Sequence, residues 1–187
     1  MYNMQRLNTL EDICLIEAIH DSKSSETIEP EDLGNLEHTL MLAKGAKIMI
    51  SSNICTKFKL SNGVLGTVIG IAFAENRPPP SMPIAVVVDI PVYDGPAWDP
   101  AHPTHVPIPP IELKSTSSLR DHRFRFRRQT PIRLSYAMTI YKGQGQTLPK
   151  VWIDLGNKKE RNVGLAYVAL SRCKSSTDML VDPCSLD

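Results

Sequence analysis

The sequence lacks the features that mark membrane and secreted proteins. In its 187 residues no apolar run reaches the roughly 18 that a membrane-spanning helix needs, and we expect no signal peptide. Its four cysteines form no Cys-x-x-Cys pair, so neither a zinc site nor a disulfide framework is expected, and a reducing compartment fits best. His102 and His105 have no matched ligands nearby in the sequence, so we expect no metal site there either.

The sequence also lacks both motifs that hold the triphosphate of ATP. A Walker A loop needs Gly, four residues, Gly, Lys and then Ser or Thr, and no such string occurs. No apolar strand ends in an Asp-Glu pair, as a Walker B element requires. By itself, the chain therefore shows no place for a nucleoside triphosphate and its Mg²⁺.

What is present is a globular composition with an uneven charge. Hydrophobic residues make up 42% and charged residues 22%, which is typical of one domain or two small ones. Residues 1–40 hold nine acidic and two basic side chains, a net charge of −7, whereas the whole chain carries +1. The remainder is therefore basic and could bind a polyanion on one face. A solvated acidic helix and loop is the alternative interpretation.

Turn signals and short strands characterise the middle of the chain. The pair Asn62-Gly63 is typical of a hairpin turn, because it accepts a positive φ. Residues 78–110 contain eleven prolines, which excludes a continuous helix and predicts irregular chain around one short strand at Pro83–Ile90. We predict a small β-barrel over residues 45–128.

Strands and helices alternate in the last third of the chain. The pattern predicts strands at Ile132–Met138 and Val151–Leu155, separated by a Gly-rich turn into a short helix. A helix at Val163–Arg172 and a strand at Met179–Val181 follow. This order is typical of an α/β fold, so we predict a parallel sheet here.

The Gly-rich turn has the residue types of a phosphate-binding loop. Gly143 and Gly145 would let backbone N–H groups approach a phosphate, and Lys142 supplies a positive charge directly after a strand. An ordinary left-handed turn between a strand and a helix explains the glycines equally well.

An arginine near the end of the predicted helix is the second candidate. Small and apolar residues precede Arg172, so we expect its side chain to be oriented. An arginine held in this way can neutralise charge on a transferring phosphoryl group. A surface salt bridge or a cation at a helix C-terminus is the alternative.

Five arginines interleave with two phenylalanines over Arg120–Arg128. On a strand, three of the arginines would share one face: Arg123, Arg125 and Arg127. A basic stripe over a buried aromatic face suits contact with the backbone of single-stranded DNA. In the alternative, the phenylalanines belong to the core and the arginines are simply solvated.

The Gly-rich turn and the segment that ends at Arg172 together resemble a known pair of helicase motifs. Ala137–Leu148 resembles motif V, and Gly164–Arg172 resembles motif VI, of the Pif-type 5′-to-3′ DNA helicases of superfamily one, including the copies carried by Helitron transposons. Upstream, Leu42–Ile50 with Asn53, and then Leu60–Val68, look like the start of the family's small Src-homology-3-like barrel. The resemblance covers nearly the whole chain.

The resemblance implies an α/β fold with a particular domain arrangement. Members of the family have two RecA-like domains with ATP between them, and this chain resembles only the second, interrupted by the barrel. Residues 1–44 would start that domain, residues 45–128 would form the inserted barrel, and residues 129–187 would complete the domain. The ligands of ATP and Mg²⁺ would lie mainly in the missing first domain, on a longer chain or another subunit.

The resemblance also implies roles for individual residues. Arg172 would reach the γ-phosphate and act in catalysis, and Gly145 and Gln146 would lie near the nucleotide. The start of motif V would face the DNA strand, through Thr139, Tyr141, Lys142 and Gln144. The family usually has histidine where this chain has Tyr141. Tyrosine keeps an aromatic face for stacking but lacks the positive charge that a histidine can carry. Gly143 replaces a small polar residue and loosens the loop.

The implied function is that of the C-terminal part of an ATP-dependent 5′-to-3′ DNA helicase. Its partner would be single-stranded DNA. It would act in DNA repair, recombination, telomere maintenance or transposition. Its location would be the nucleus or, alternatively, the mitochondrion. A stand-alone module or inactive transposon relic is the alternative, binding single-stranded nucleic acid through Arg123, Arg125, Arg127 and Lys142. A third possibility is a separate chain that supplies the phosphate-binding loop.

Overall fold

The structure is a computed structural model that describes residues 2–22, 26–115, 125–154 and 163–182. The chain forms two compact units, Met1–Ala137 and Met138–Asp187. No helix in the described ranges is long and apolar enough to span a bilayer.

The first unit is built mainly from short antiparallel strands. It begins with one helix, α1, at Tyr2–Leu7. Its strands, in chain order, are β1 Cys14–Glu17, β2 Ile19–His20, β3 Thr39–Leu42, β4 Lys47–Ile50, β5 Leu65–Ala72, β6 Ala85–Asp89, β7 His105–Ile108, β8 Ile111–Ser115, β9 Arg125–Gln129 and β10 Ile132–Leu134. They form three sheets with the orders β1-β3, β2-β9-β8 and β10-β4-β5-β6-β7.

The five-stranded sheet carries much of the core of this unit. Its buried side chains are mostly β-branched, which suits a pleated surface covered on one side. They include Ile48, Val68, Val86, Val88, Ile108 and Ile132. Pro107 lies within β7, at the edge of the sheet, where its missing N–H costs no ladder hydrogen bond. The proline-rich stretch therefore holds two strands, not the single one predicted.

The predicted turn at Asn62-Gly63 lies in the connection between the antiparallel strands β4 and β5. Gly63 has φ 95°, and its backbone N–H donates to the carbonyl of Ile50 at 2.9 Å. The connection is longer than a two-residue hairpin loop, because a 3₁₀ turn at Thr56–Phe58 lies within it. Closure of these strands into a Src-homology-3-like barrel stays a prediction.

The second unit combines short helices with a parallel strand pair, and the chain as a whole is α/β. Its elements are α2 Ile140–Gly143, β11 Val151–Ile153, α3 Val163–Leu170 and β12 Met179–Val181. Strands β11 and β12 pair in parallel, with Trp152 opposite Leu180.

The prediction that Ile132–Met138 belongs to the parallel sheet is wrong. The strand observed there is β10, and it pairs antiparallel with β4. Ile132 lies opposite Ile50 and is fully buried with it in the core of the first unit. An apolar run in the sequence indicates a strand but does not identify its partner. In the described ranges, parallel pairing between strands is limited to β11 and β12.

Candidate functional site

The loop that contains the predicted phosphate-binding glycines has an open backbone. Thr139 precedes α2 in an extended conformation, and the chain leaves that single helical turn through Gly145, which has φ 80°. Glycine suits this conformation because it has no Cβ. Among the described residues, a Cβ at Gly145 would have no non-neighbouring heavy atom within 4 Å. The backbone here is thus accessible to a ligand.

The side chains predicted to face DNA lie on the surface of this loop. Tyr141 is 66% exposed, so its ring is available for stacking. The others predicted for this role are also exposed: Thr139, Lys142 and Gln144. Gly143 is the buried residue of α2. Contact of these side chains with DNA remains a prediction.

Arg172 lies just after α3, and hydrogen bonds orient its guanidinium. Nε donates to the carbonyl of Val168 at 2.8 Å, and Nη2 donates to Oγ of Ser171 at 2.7 Å. Nη1 reaches the carbonyl of Gln146 at 3.2 Å. The structure therefore brings together two residues that the resemblance places near the nucleotide, Arg172 and Gln146.

Backbone contacts strengthen the connection between the loop and the end of α3. The N–H of Leu148 donates to the carbonyl of Arg172 at 2.8 Å, and Leu148 forms a parallel β-bridge with Cys173. The thiol of Cys173 lies 3.4 Å from the carbonyl of Leu148. The loop also bonds within itself, since Nε2 of Gln146 donates to the carbonyl of Lys142 at 3.2 Å. These contacts hold the loop against the end of α3.

The chemistry available here is that of an anion-binding guanidinium. Among the described residues, the partners of Arg172 engage three of its five N–H donors, so one N–H on each Nη can still bond. Two such donors match two oxygens of one phosphate. The guanidinium can therefore bind an anion such as a phosphate. The described part of the chain contains no cluster of three metal-ligating side chains.

Ser171 is a member of this site that the sequence analysis misses. Its hydroxyl bonds to Arg172 and also donates to the carbonyl of Val168 at 3.0 Å. A serine beside a candidate arginine is a weak signal in a sequence, and only the 2.7 Å distance to Nη2 shows that it touches the guanidinium.

The predicted arginine stripe is wrong for Arg127. Its side chain is fully buried, and its two Nη atoms donate to the carbonyls of Leu36 at 2.8 Å and Ile28 at 2.7 Å. Alternation correctly predicts which residues of β9 share a face, but the chain before β3 covers that face. Arg125 is half-buried on the same face, and Arg123 lies outside the described residues.

Comparisons with known proteins point to one family. The helicase family model, described as "Helicase", matches residues 128–187. An ATP-dependent DNA helicase, PIF6 of Trypanosoma brucei brucei, is 30% identical over 183 residues, which is 96% of this chain and 21% of the relative. Human ATP-dependent DNA helicase PIF1 is 33% identical over 136 residues, 73% of this chain and 18% of the relative. The chain thus spans about a fifth of the length of each of these two relatives.

Solved structures agree with the sequence comparison. The crystal structure of Pif1 helicase from Candida albicans superposes with a TM-score of 0.69 and 27% identity, over 100% of this chain and 42% of that one. Pif1 helicase from Bacteroides, in complex with ADP-AlF3 and single-stranded DNA, gives a TM-score of 0.67 at 22% identity, covering 97% of this chain and 37% of that one. By sequence and by fold, this chain is similar to a part of the Pif-type DNA helicases.

Proposed function

We propose that this chain is the C-terminal part of an ATP-dependent 5′-to-3′ DNA helicase. The observation that carries the proposal is the bond between Arg172 and the carbonyl of Gln146, which joins the two motif segments in one site. A guanidinium fixed beside an open, glycine-containing loop suits the sensing of a phosphate. The family comparisons support the same activity.

In this proposal, the residues of the second unit act on the γ-phosphate from one side. Arg172 donates its remaining N–H groups to the phosphate oxygens and stabilises the charge that develops during transfer. Gly145 and Gln146 lie beside the nucleotide. ATP and its Mg²⁺ are held mainly by residues that this chain does not supply, either on a longer polypeptide or on another subunit.

The exposed surface of the same loop is the proposed contact with single-stranded DNA. Tyr141 offers a ring on which a base can stack, and Lys142 offers a charge for the backbone. Thr139 and Gln144 supply hydroxyl and amide groups. Because the backbone of Leu148 is bonded to Arg172, a change at the phosphate would alter the hold on DNA.

The domain arrangement is part of the proposal. Residues 1–44 and 129–187 belong to the second RecA-like domain, and residues 45–128 form the inserted barrel. β4 lies just inside the start of this region and β10 lies just after its end, so their pairing brings the two junctions together, which supports an insertion.

The test is to join this chain to the Walker-containing part of a Pif-type helicase and to measure ATP hydrolysis. We expect hydrolysis that single-stranded DNA stimulates, and Arg172→Ala should abolish it, a loss of at least about 10³-fold. Lys174→Ala, at an exposed cation two residues away, is the matched control and should change little.

A fully active Arg172→Ala protein would contradict the proposed function. If neither protein hydrolyses ATP while the chain alone binds single-stranded DNA in a salt-dependent way, the alternative of a stand-alone binding module is favoured.

A further inference from the structure

We propose that Ser171 is a positioning residue, whose hydroxyl fixes the plane in which Arg172 presents its guanidinium to a phosphate. The inference rests on the proposed role of Arg172. Oγ of Ser171 lies 2.7 Å from Nη2 of Arg172, a short distance for a hydrogen bond from a cationic nitrogen.

The direction of the hydrogen bonds supports this role. A serine hydroxyl has one proton and two lone pairs, whereas a guanidinium has donors only. The Ser171 proton is given to the carbonyl of Val168 at 3.0 Å. The oxygen that faces Arg172 is thereby left as an acceptor, as the guanidinium requires.

The same carbonyl anchors Arg172 from the other end. Nε of Arg172 donates to Val168 at 2.8 Å, and this carbonyl belongs to the last turn of α3, where carbonyls have no partner within the helix. The guanidinium is thus fixed at Nε and at Nη2 by the end of its own helix. Nη1 has only the longer contact of 3.2 Å with the carbonyl of Gln146, so the 2.7 Å bond at Nη2 is the stronger restraint on the plane of the guanidinium.

The consequence is a guanidinium that is oriented before any phosphate arrives. One N–H on each of Nη1 and Nη2 remains for the ligand among the described residues. A group oriented in advance loses less conformational freedom when the transition state forms. Removal of the hydroxyl should leave Nε anchored at Val168 and release Nη2.

Nuclear magnetic resonance of this chain tests the positioning without any need for ATPase activity. We expect hindered rotation about the Cζ–Nη2 bond of Arg172 at low temperature. Ser171→Ala should accelerate that rotation by about fivefold or more, whereas Ser171→Thr, which keeps the hydroxyl, should leave it slow. Ser176→Ala, at an exposed serine nearby, is the control and should have no effect. Equal rotation rates in the wild type and in Ser171→Ala would overturn the proposal.

Kinetics of the joined, ATP-hydrolysing polypeptide provide the second readout. Ser171→Ala should lower kcat by about tenfold with KM for ATP little changed, since orientation matters most in the transition state. Ser171→Thr should restore most of the rate. Unchanged kcat in Ser171→Ala, alongside an inactive Arg172→Ala, would refute the role of Ser171. Activity in Arg172→Ala would instead refute the proposed function and leave the resonance result standing.

Discussion

Arg127 is a fully buried arginine in a strand that also carries an exposed one, Arg128. Its Nη atoms donate to the backbone carbonyls of Leu36 and Ile28, in a segment rich in acidic residues. Burial, above all, lowers the pKa of the Arg127 guanidinium, and the carboxylates of Glu37 and Glu29 act in the opposite direction. The side chain therefore holds the chain before β3 against β9.

Replacement of this side chain should destabilise the first unit. Arg127→Met keeps the volume but leaves two carbonyls without their donor, so we expect the free energy of unfolding to fall by about 3 kcal/mol. Urea unfolding followed through amide signals of the first unit measures the effect. Arg128→Met, at the exposed neighbour, should change the same quantity by less than about 0.5 kcal/mol. Similar small effects at both positions would refute a structural role for Arg127.

At the scale of single residues, the sequence predicts the chemical role of a side chain better than it predicts whether that side chain is buried. The residue types around Arg172 predict an oriented arginine, and the structure contains one. The same approach fails at Arg127, because the period of a strand assigns side chains to two faces but does not state which face the rest of the chain covers. Burial at Arg127 depends on carbonyls 91 and 99 positions away in the sequence, contacts that no local pattern reveals.

Among the elements, β5 approaches its neighbour β6 very closely at one glycine. A Cβ on Gly66 would stand 2.5 Å from Cγ1 of Val88 and 2.9 Å from the carbonyl oxygen of Asp89. Gly70, on the same strand, has no such neighbour within 4 Å among the described residues. In β5, close packing therefore requires glycine at position 66 but does not require it at position 70.

This contrast gives a matched pair of variants. Gly66→Ala should lower the free energy of unfolding by about 2 kcal/mol, because the neighbours are a core valine and fixed backbone. Gly70→Ala should be neutral or slightly stabilising, since alanine restricts the unfolded chain. Denaturant titration of both proteins measures the two effects, and an effect at Gly66 as small as that at Gly70 would contradict a packing requirement at Gly66.

The elements that the sequence predicts best are those specified by local chemistry. The turn at Asn62-Gly63 lies where a positive φ is needed, and α3 ends close to the predicted residue. The partner of β10 could not be predicted, because Ile132 and Leu134 would suit a parallel or an antiparallel sheet equally well. Only the long-range pairing with β4 decides between them.

At the scale of the whole molecule, binding of single-stranded DNA should depend steeply on salt. If Lys142 contacts one phosphate, Lys142→Ala should reduce the slope of log Kd against log salt by about 0.7. Fluorescence anisotropy with a labelled oligonucleotide measures that slope. Lys44→Ala, at an exposed lysine of the first unit, serves as the control. A slope that is the same in both variants would argue against contact at Lys142.

The pairing of β4 with β10 has a consequence for how this molecule can be rearranged. The N–H of Ser135 donates to the carbonyl of Lys47 at 3.0 Å, so the chain enters and leaves the region between them at adjacent points. Because the two ends are tied together, residues gained or lost in the loops between them leave the path of the flanking chain unchanged. The proline-rich connection between β6 and β7 could therefore change in length while β4 and β10 keep their pairing.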